Sequence, residues 1–352
     1  MIVTASCSVD WCSLEYFLHL KRTCALSSIR TYAGHLVDCL AQLEVDNRSL
    51  VTIDERWLQE YKNSILVRSS HGKKNTEAYA CQVIRTVVAY CYWLETSGYA
   101  QLLCGITREY AIQVSVRDNG SVLHPLALDK SADKRSALAP RSEWIETVKR
   151  HGPATDTASK KFDLMVDWYS SAGPRAHEIC SLLKSRLPSL EAAKRAATDG
   201  RNLRIVLNKT KGGTNEPLPT SPLIIVRTWE YIATQRADVV RRFRMRSAKR
   251  GHKYAEPDEI FLSEKTGRAM TPKAVSNSVR QAFLKAVEAG ALARDERVWL
   301  HGLRHHFATN FLKSLDSKNV RNPERIARVA TRHRSEETLD GYANERFNSD
   351  FR

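Results

Sequence analysis

The chain has few of the residues that build redox or metal centres. Its eight cysteines in 352 residues include no CxxC pair and no Cys/His cluster, which argues against a disulfide framework or a zinc site. Seven of them, Cys7, Cys12, Cys24, Cys39, Cys81, Cys91 and Cys104, lie in segments such as YACQVIRTVVAYCYWL, where they read as small buried apolar residues. No apolar run reaches membrane-spanning length. The opening MIVTASCSVDWCSLEYF has an acid and no basic stretch before its apolar residues, unlike a secretory signal, so a reducing intracellular setting is expected. There is also no internal repeat and no low-complexity tract.

Acidic residues are comparatively scarce, 39 Asp+Glu against 55 Lys+Arg, for a net charge of +16. Such an excess implies a polyanionic partner, nucleic acid first. The excess is local: residues 1–100 hold 10 basic and 10 acidic residues, whereas residues 201–250 hold 12 and 3, a net of +9. It peaks in RADVVRRFRMRSAKRGHK, residues 236–253. Val239, Val240, Phe243 and Met245 interrupt the charge there as in an amphipathic helix. Its basic side, including Arg241, Arg242, Arg244, Arg246, Lys249 and Arg250, is the candidate phosphate-contacting surface.

At this length two domains are expected. Residues 10–100 read as four helices. One follows Ser27 or Ser28 as N-cap, with Ile29, Tyr32, Leu36, Cys39, Leu40 and Leu43 at helical spacing. Another starts at Thr52 with Glu55 three residues on, a capping-box pattern. A third runs from about Thr76 to Leu94 and stops at Gly98. Residues 107–140 carry turn residues and prolines and read as a linker. Helices resume at SEWIETVKR and KKFDLMVDWYSSAG. LRIVLNKTKGGTNEPLPTSP reads as a β-hairpin with Lys211 at its glycine turn. Further helices are expected around 221–247, 272–290, 302–315, 322–331 and 335–345.

The chemistry-bearing residues cluster late. HGLRHHFAT places His301 and Arg304 three apart, on one helical face, so an imidazole and a guanidinium would address one small anion. Arg175 and Glu178 repeat that spacing in AGPRAHEICSLL, and His333 and Tyr342 follow nine apart. Phosphoryl transfer without a metal needs charge neutralisation at the non-bridging oxygens and a proton for the leaving oxygen. Arginine serves the first and a lysine of lowered pKa the second, while tyrosine can be the nucleophile. Singly, each piece has an ordinary reading. Lys209 competes with Lys211, Arg175 and Glu178 fit a helix salt pair, His333 a surface histidine, and Tyr342 a packed aromatic.

In order, AGPRAHE, TKGG, HGLRHHFAT and RHRSEETLDGY resemble the motifs of the tyrosine recombinases, the phage integrase family, and SSIRTYAGHLVDCL with LEYFLHLK resembles their helical core-binding domain. The family often has glycine where Arg332 stands and leucine where Pro174 stands. The resemblance implies a mainly α fold with a small β-hairpin or sheet (α+β). Its parts would be a helical, SAM-like core-binding domain over 1–110, a linker over 111–136 and a catalytic domain over 137–352, forming a C-shaped clamp on DNA. It further implies site-specific cleavage and rejoining of DNA without metal, ATP or other cofactor. Tyr342 would form a 3′-phosphotyrosyl intermediate, and Arg175, Arg304 and His301 would hold the non-bridging oxygens, with His301 also implicated in proton transfer. Lys211 would protonate the leaving 5′-oxygen, His333 would hydrogen-bond the phosphate, and Glu178 would support the site. Implied partners are double-stranded DNA with inverted-repeat sites and three further copies of the chain in a homotetramer, with no membrane. The location would be cytoplasmic, with the nucleoid if bacterial or phage-encoded. The alternatives are DNA relaxation like that of type IB topoisomerases, and a helical DNA-binding protein without catalysis.

Overall fold

The computed structural model describes residues 2–3, 9–70, 73–129, 139–207 and 217–332. The chain divides into two compact units, Met1–Arg135 and Ser136–Arg352. Among the described residues, no helix is long and apolar enough to cross a membrane.

The first unit is built on four helices, α1 (Trp11–Leu20), α2 (Leu26–Val45), α3 (Glu55–Val67) and α4 (Glu77–Thr96). Helix α4 is buried on most of its circumference: Ala80, Cys81, Val83, Ile84, Val87, Val88, Tyr90, Cys91 and Leu94 are all within the core. Cys39, Cys81, Cys91 and Cys104 are buried in this unit, while Cys12 and Cys24 are half-buried; the seven cysteines in described segments are free thiols. Tyr16 of α1 closes one end of this core against Tyr90, with ring centroids 4.9 Å apart. Each large apolar side chain buried here contributes about 1.5–3 kcal/mol.

Two helix starts differ from the sequence pattern. Helix α2 begins at Leu26 after Ala25, so neither Ser27 nor Ser28 caps it. The residues around Thr52 form a short 3₁₀ turn, and Asp54 caps α3 by accepting from the Trp57 backbone N–H at 2.8 Å. Glu55 is thereby free for another task. Its carboxylate faces the buried His124 ring nitrogen Nε2 at 2.9 Å and accepts the Gln113 backbone N–H at 3.0 Å. The stretch expected as a linker over 111–136 is, as far as residue 129, part of the first unit. It contains the short strands β4 (Ile112–Gln113), β5 (Ser115–Val116) and β6 (Val122–Leu123), of which β4 pairs with the preceding β3 (Cys104–Gly105), after a small hairpin of β1 (Ser69–Ser70) and β2 (Lys73–Lys74), and it buries Ile112, Val114 and Ala127 against the helical core. Its turn residues mark tight connections within a packed layer, a pattern composition alone does not separate from a linker.

The second unit is arranged around α6 (Asp156–Ala172), preceded by α5 (Ser142–Arg150) and followed by α7 (Ala176–Cys180) and α8 (Leu190–Thr198). Trp168 on α6 is fully buried and its indole N–H donates to Thr228 Oγ1 at 3.0 Å. The expected hairpin strands are β7 (Leu203–Val206) and β8 (Pro217–Thr220), antiparallel with Ile205 opposite Leu218 and both buried. Its turn, with Lys211, lies outside the described residues. Then come α9 (Pro222–Tyr231), α10 (Ala237–Ala248), α11 (Pro272–Glu288), α12 (Leu300–Ser317) and α13 (Pro323–Thr331). Helices α9 and α10, expected as one, are joined through a five-residue π turn, Ile232–Arg236. The helix expected over 335–345 lies outside the described residues.

Capping chemistry gives a direct check. Asp54→Ala should lower stability by about 1 kcal/mol, while Thr52→Ala, which removes no cap, should cost less; urea unfolding of the two variants measures the difference, and equal losses would contradict the assignment.

Candidate active site

Three chain segments that carry sequence-predicted residues meet at the end of two helices. Helix α6 stops at Ala172 and its C-cap Gly173 turns left-handed, with φ 60. Helix α13 stops at Thr331 and its C-cap Arg332 does the same, with φ 55. Such caps redirect the chain and leave the last carbonyls needing donors. Arg304, from the second turn of α12, supplies them. Its guanidinium donates from Nη1 to the Gly173 carbonyl and from Nη2 to the Thr331 carbonyl. A cation at two helix C-termini is also favoured by both macrodipoles. Arg304 is 1% exposed, so it is a buried strut between the segment that leads to Arg175 and the one that leads to His333.

Gly173 is required at its position for two reasons. Its backbone is left-handed, and a Cβ there would collide with the Phe307 ring, one turn beyond Arg304 on α12.

Arg175 and Glu178 form a salt pair across the N-terminal cap of a helix. Arg175 is the extended N-cap of α7 and Glu178 is three residues in. The Glu178 carboxylate accepts the Arg175 backbone N–H at 2.7 Å and its Nη1 at 3.0 Å. Arg175 Nη2 in turn donates to the Arg332 carbonyl at 2.9 Å. Glu178 is buried, and burial alone would raise its pKa; the Arg332 and Arg175 charges and the Arg175 N–H outweigh this and hold it below the ordinary value. Its stabilising contribution is therefore present above the normal carboxylate range and is lost as the pH falls through the depressed value.

His301 lies in the first turn of α12, its side chain open to solvent on one side. Partial burial, then the positive charges of Arg304 and Arg175, lower its pKa. The shift favours the neutral imidazole, which has one nitrogen to donate and one to accept. Its ring stands perpendicular to that of His305, centroids 4.8 Å apart, and burial followed by the neighbouring His301 and Arg304 pushes His305 down to about 4. Of the seven residues expected to form the site, the structure brings together Arg175, Glu178, His301 and Arg304. Lys211, His333 and Tyr342 lie outside the described residues.

Arg332 was legible only as an anomaly, an arginine where glycine is common. The structure gives the reason: the position needs a left-handed backbone, and the side chain has an anion to meet. Arg332 Nη2 donates to Glu178 Oε2 at 2.6 Å, with both side chains out of solvent.

The basic segment is helical in α10, and Arg241, Arg242, Arg244, Arg246, Lys249 and Arg250 are all exposed. Val239, Val240 and Leu262 form a small core with Phe243 and Tyr254 beside them. Two details differ from the expected face. Met245 is 60% exposed and does not join the apolar side. Arg236 is buried, with its guanidinium on Glu256 and the Pro257 and Glu259 carbonyls, so it is a structural residue. Arg244 also shares Glu256, at 2.6 Å, and Arg241 pairs with Asp238.

No protein-family model and no curated protein sequence matches the chain. Solved structures do. A lambda integrase dimer, residues 75–356, bound to a COC' core site is 11% identical, with 96% of each chain covered and a TM-score of 0.56. The XerH site-specific recombinase bound to difH substrate, a pre-cleavage complex, is 16% identical over 97% of this chain and 88% of its own, at 0.57. The Tn1549 transposon integrase in complex with circular intermediate DNA is 15% identical over 97% and 99%, at 0.53. These proteins are tyrosine recombinases, and it is their fold that this chain adopts.

Proposed function

We propose that this protein is a site-specific DNA recombinase that cleaves and rejoins strands through a phosphotyrosyl intermediate. The observation that carries the reading is the convergence of Arg175, Arg304 and His301, from two distant segments, on one end of the second unit. Arg175 Nη groups, the neutral His301 ring and the buried Arg304 charge make a small, preorganised anion site, which is what a phosphodiester passing through a pentacoordinate state requires. The likeness to DNA-bound recombinases agrees with it.

In this reading Tyr342 Oη attacks the scissile phosphorus. The Tyr342 Oη proton passes to the accepting nitrogen of His301 as the P–O(Tyr) bond forms, and the bond to the 5′-oxygen breaks as Lys211 delivers a proton to that oxygen. Arg175 and His301 donate to the non-bridging oxygens, and Arg304 adds its charge while fixing the two caps. His333 hydrogen-bonds the phosphate, and Glu178 keeps Arg175 aligned. Reversal by a 5′-hydroxyl from a second duplex exchanges strands; two duplexes with inverted repeats call for a synaptic tetramer. The exposed arginines of α10 bind the DNA backbone, which positions the duplex without reading its bases. No metal or nucleotide cofactor enters the scheme.

Nicked suicide duplexes tiled across the DNA flanking the gene test the chemistry. The wild type should yield a denaturant-stable covalent adduct that Tyr342→Phe abolishes and that Arg175→Ala slows by about 10²–10³-fold. An adduct that survives Tyr342→Phe removes the nucleophile assignment. Salt-dependent binding with no adduct on any duplex would favour the non-catalytic reading.

The role of α10 is read separately. Replacing Arg242, Arg246, Lys249 and Arg250 together by glutamine should lessen the slope of log affinity against log salt by roughly 0.9 for each phosphate that is no longer neutralised. An unchanged slope would remove α10 from the DNA interface.

A further inference from the structure

Arg332 combines two features that seldom occur together. Its backbone is left-handed, φ 55, a conformation glycine adopts freely and other residues adopt at a cost. Its side chain is nonetheless committed to the protein interior, 1% exposed against a Glu178 side chain at 0%. A residue merely tolerated at a glycine position would turn its side chain to solvent.

The geometry shows what the commitment achieves. Glu178 Oε2 takes both the Arg175 backbone N–H, at 2.7 Å, and Arg332 Nη2, at 2.6 Å. Glu178 Oε1 takes Arg175 Nη1 at 3.0 Å, and the Arg332 carbonyl takes Arg175 Nη2 at 2.9 Å. Arg175 is thus gripped from both sides by a unit that Arg332 completes, once through its carbonyl and once through the carboxylate it neutralises. With Arg332 absent, a buried carboxylate would have Arg175 as its one partner among these groups and would consume its charge. With Arg332 present, the carboxylate is shared between two guanidinium groups and takes up less of the Arg175 charge.

We infer that Arg332 is a positioning residue: it is the buried counter-ion of Glu178, and it sets the orientation and the unspent charge of Arg175 at the start of the segment that carries His333. The inference rests on the reading of this site as a strand-cleavage centre and adds to it a role for the one motif position where this chain departs from glycine.

Arg332→Gly, Arg332→Lys and Arg332→Met, made in the full chain, test it on the same nicked duplexes. Arg332→Gly should lower the rate of adduct formation by ~10–100-fold while the affinity for the duplex stays within about twofold, because the side chain orients Arg175 and does not itself face DNA. Arg332→Lys should recover part of the rate. Arg332→Gly should also lower the urea midpoint, although it relieves the backbone. A wild-type rate or a raised midpoint in Arg332→Gly would show a tolerated side chain and overturn the inference. So would parallel losses of rate and affinity that Arg332→Lys does not restore. A second measurement needs no catalysis. In urea unfolding, Arg332→Met combined with Glu178→Gln should lose less than the sum of the single variants, and additive losses would overturn the pairing. Should the wild type form no adduct, the strand-cleavage reading fails by itself, while this cycle still decides whether Arg332 and Glu178 act together.

Discussion

Most of the site depends on one buried guanidinium held between two helix C-termini. Arg304 meets the Gly173 carbonyl at the end of α6 and the Thr331 carbonyl at the end of α13. Removing such a charge from water is costly, and two neutral carbonyls offset only part of the cost. The helix ends supply the remainder in a fixed direction, because their last carbonyls lack donors within the helix and carry partial negative charge. Geometry follows from this. Arg175 comes two residues after one of the carbonyls and His333 two residues after the other, so the same side chain sets where both segments begin.

The formal charges around this strut are unequal. Among the described residues, Arg175, Arg304 and Arg332 set against Glu178 sum to a formal +2. A structural network of this size tends toward neutrality, since each uncompensated buried charge destabilises the fold. Rigid elements hold these charges in place, and burial, followed by the charges of Arg304 and Arg175, lowers the pKa of His301.

Much of the fold was legible from periodicity. Four helices before residue 100, the hairpin strands on either side of Lys211 and the helices between 272 and 331 follow from apolar spacing, because each buries one stripe or one face. The departures lie where local composition speaks for Ser27, for Thr52 and for a linker over 111–136. Asp54 takes the α3 cap instead of Thr52, and Glu55 reaches His124 and Gln113 across the unit, which ties the expected linker to α3. In the site, residue types revealed Arg175, Glu178, His301 and Arg304, since guanidinium and imidazole at such spacings suit an anion. Their division of labour was hidden. Nothing in HGLRHH says that His301 is open to solvent while Arg304 is buried against two carbonyls, since that depends on which helix ends pack above α12.

The two left-handed caps show why similar backbone demands were met by different residues. At the end of α6, a Cβ on residue 173 would run into Phe307, so there is no room for any side chain and glycine satisfies both conformation and packing. At the end of α13 the space beyond the backbone holds the buried Glu178 carboxylate. A glycine there would ease the backbone and leave that carboxylate with less counter-charge; an arginine strains the backbone modestly and gains a short, charge-assisted bond. Steric exclusion thus decides one cap and electrostatic demand the other. On this view Gly173→Ala, which meets both the left-handed penalty and the Phe307 ring, should cost about 2–4 kcal/mol in urea unfolding, because α12 cannot retreat from α6 without withdrawing Arg304 from its carbonyls.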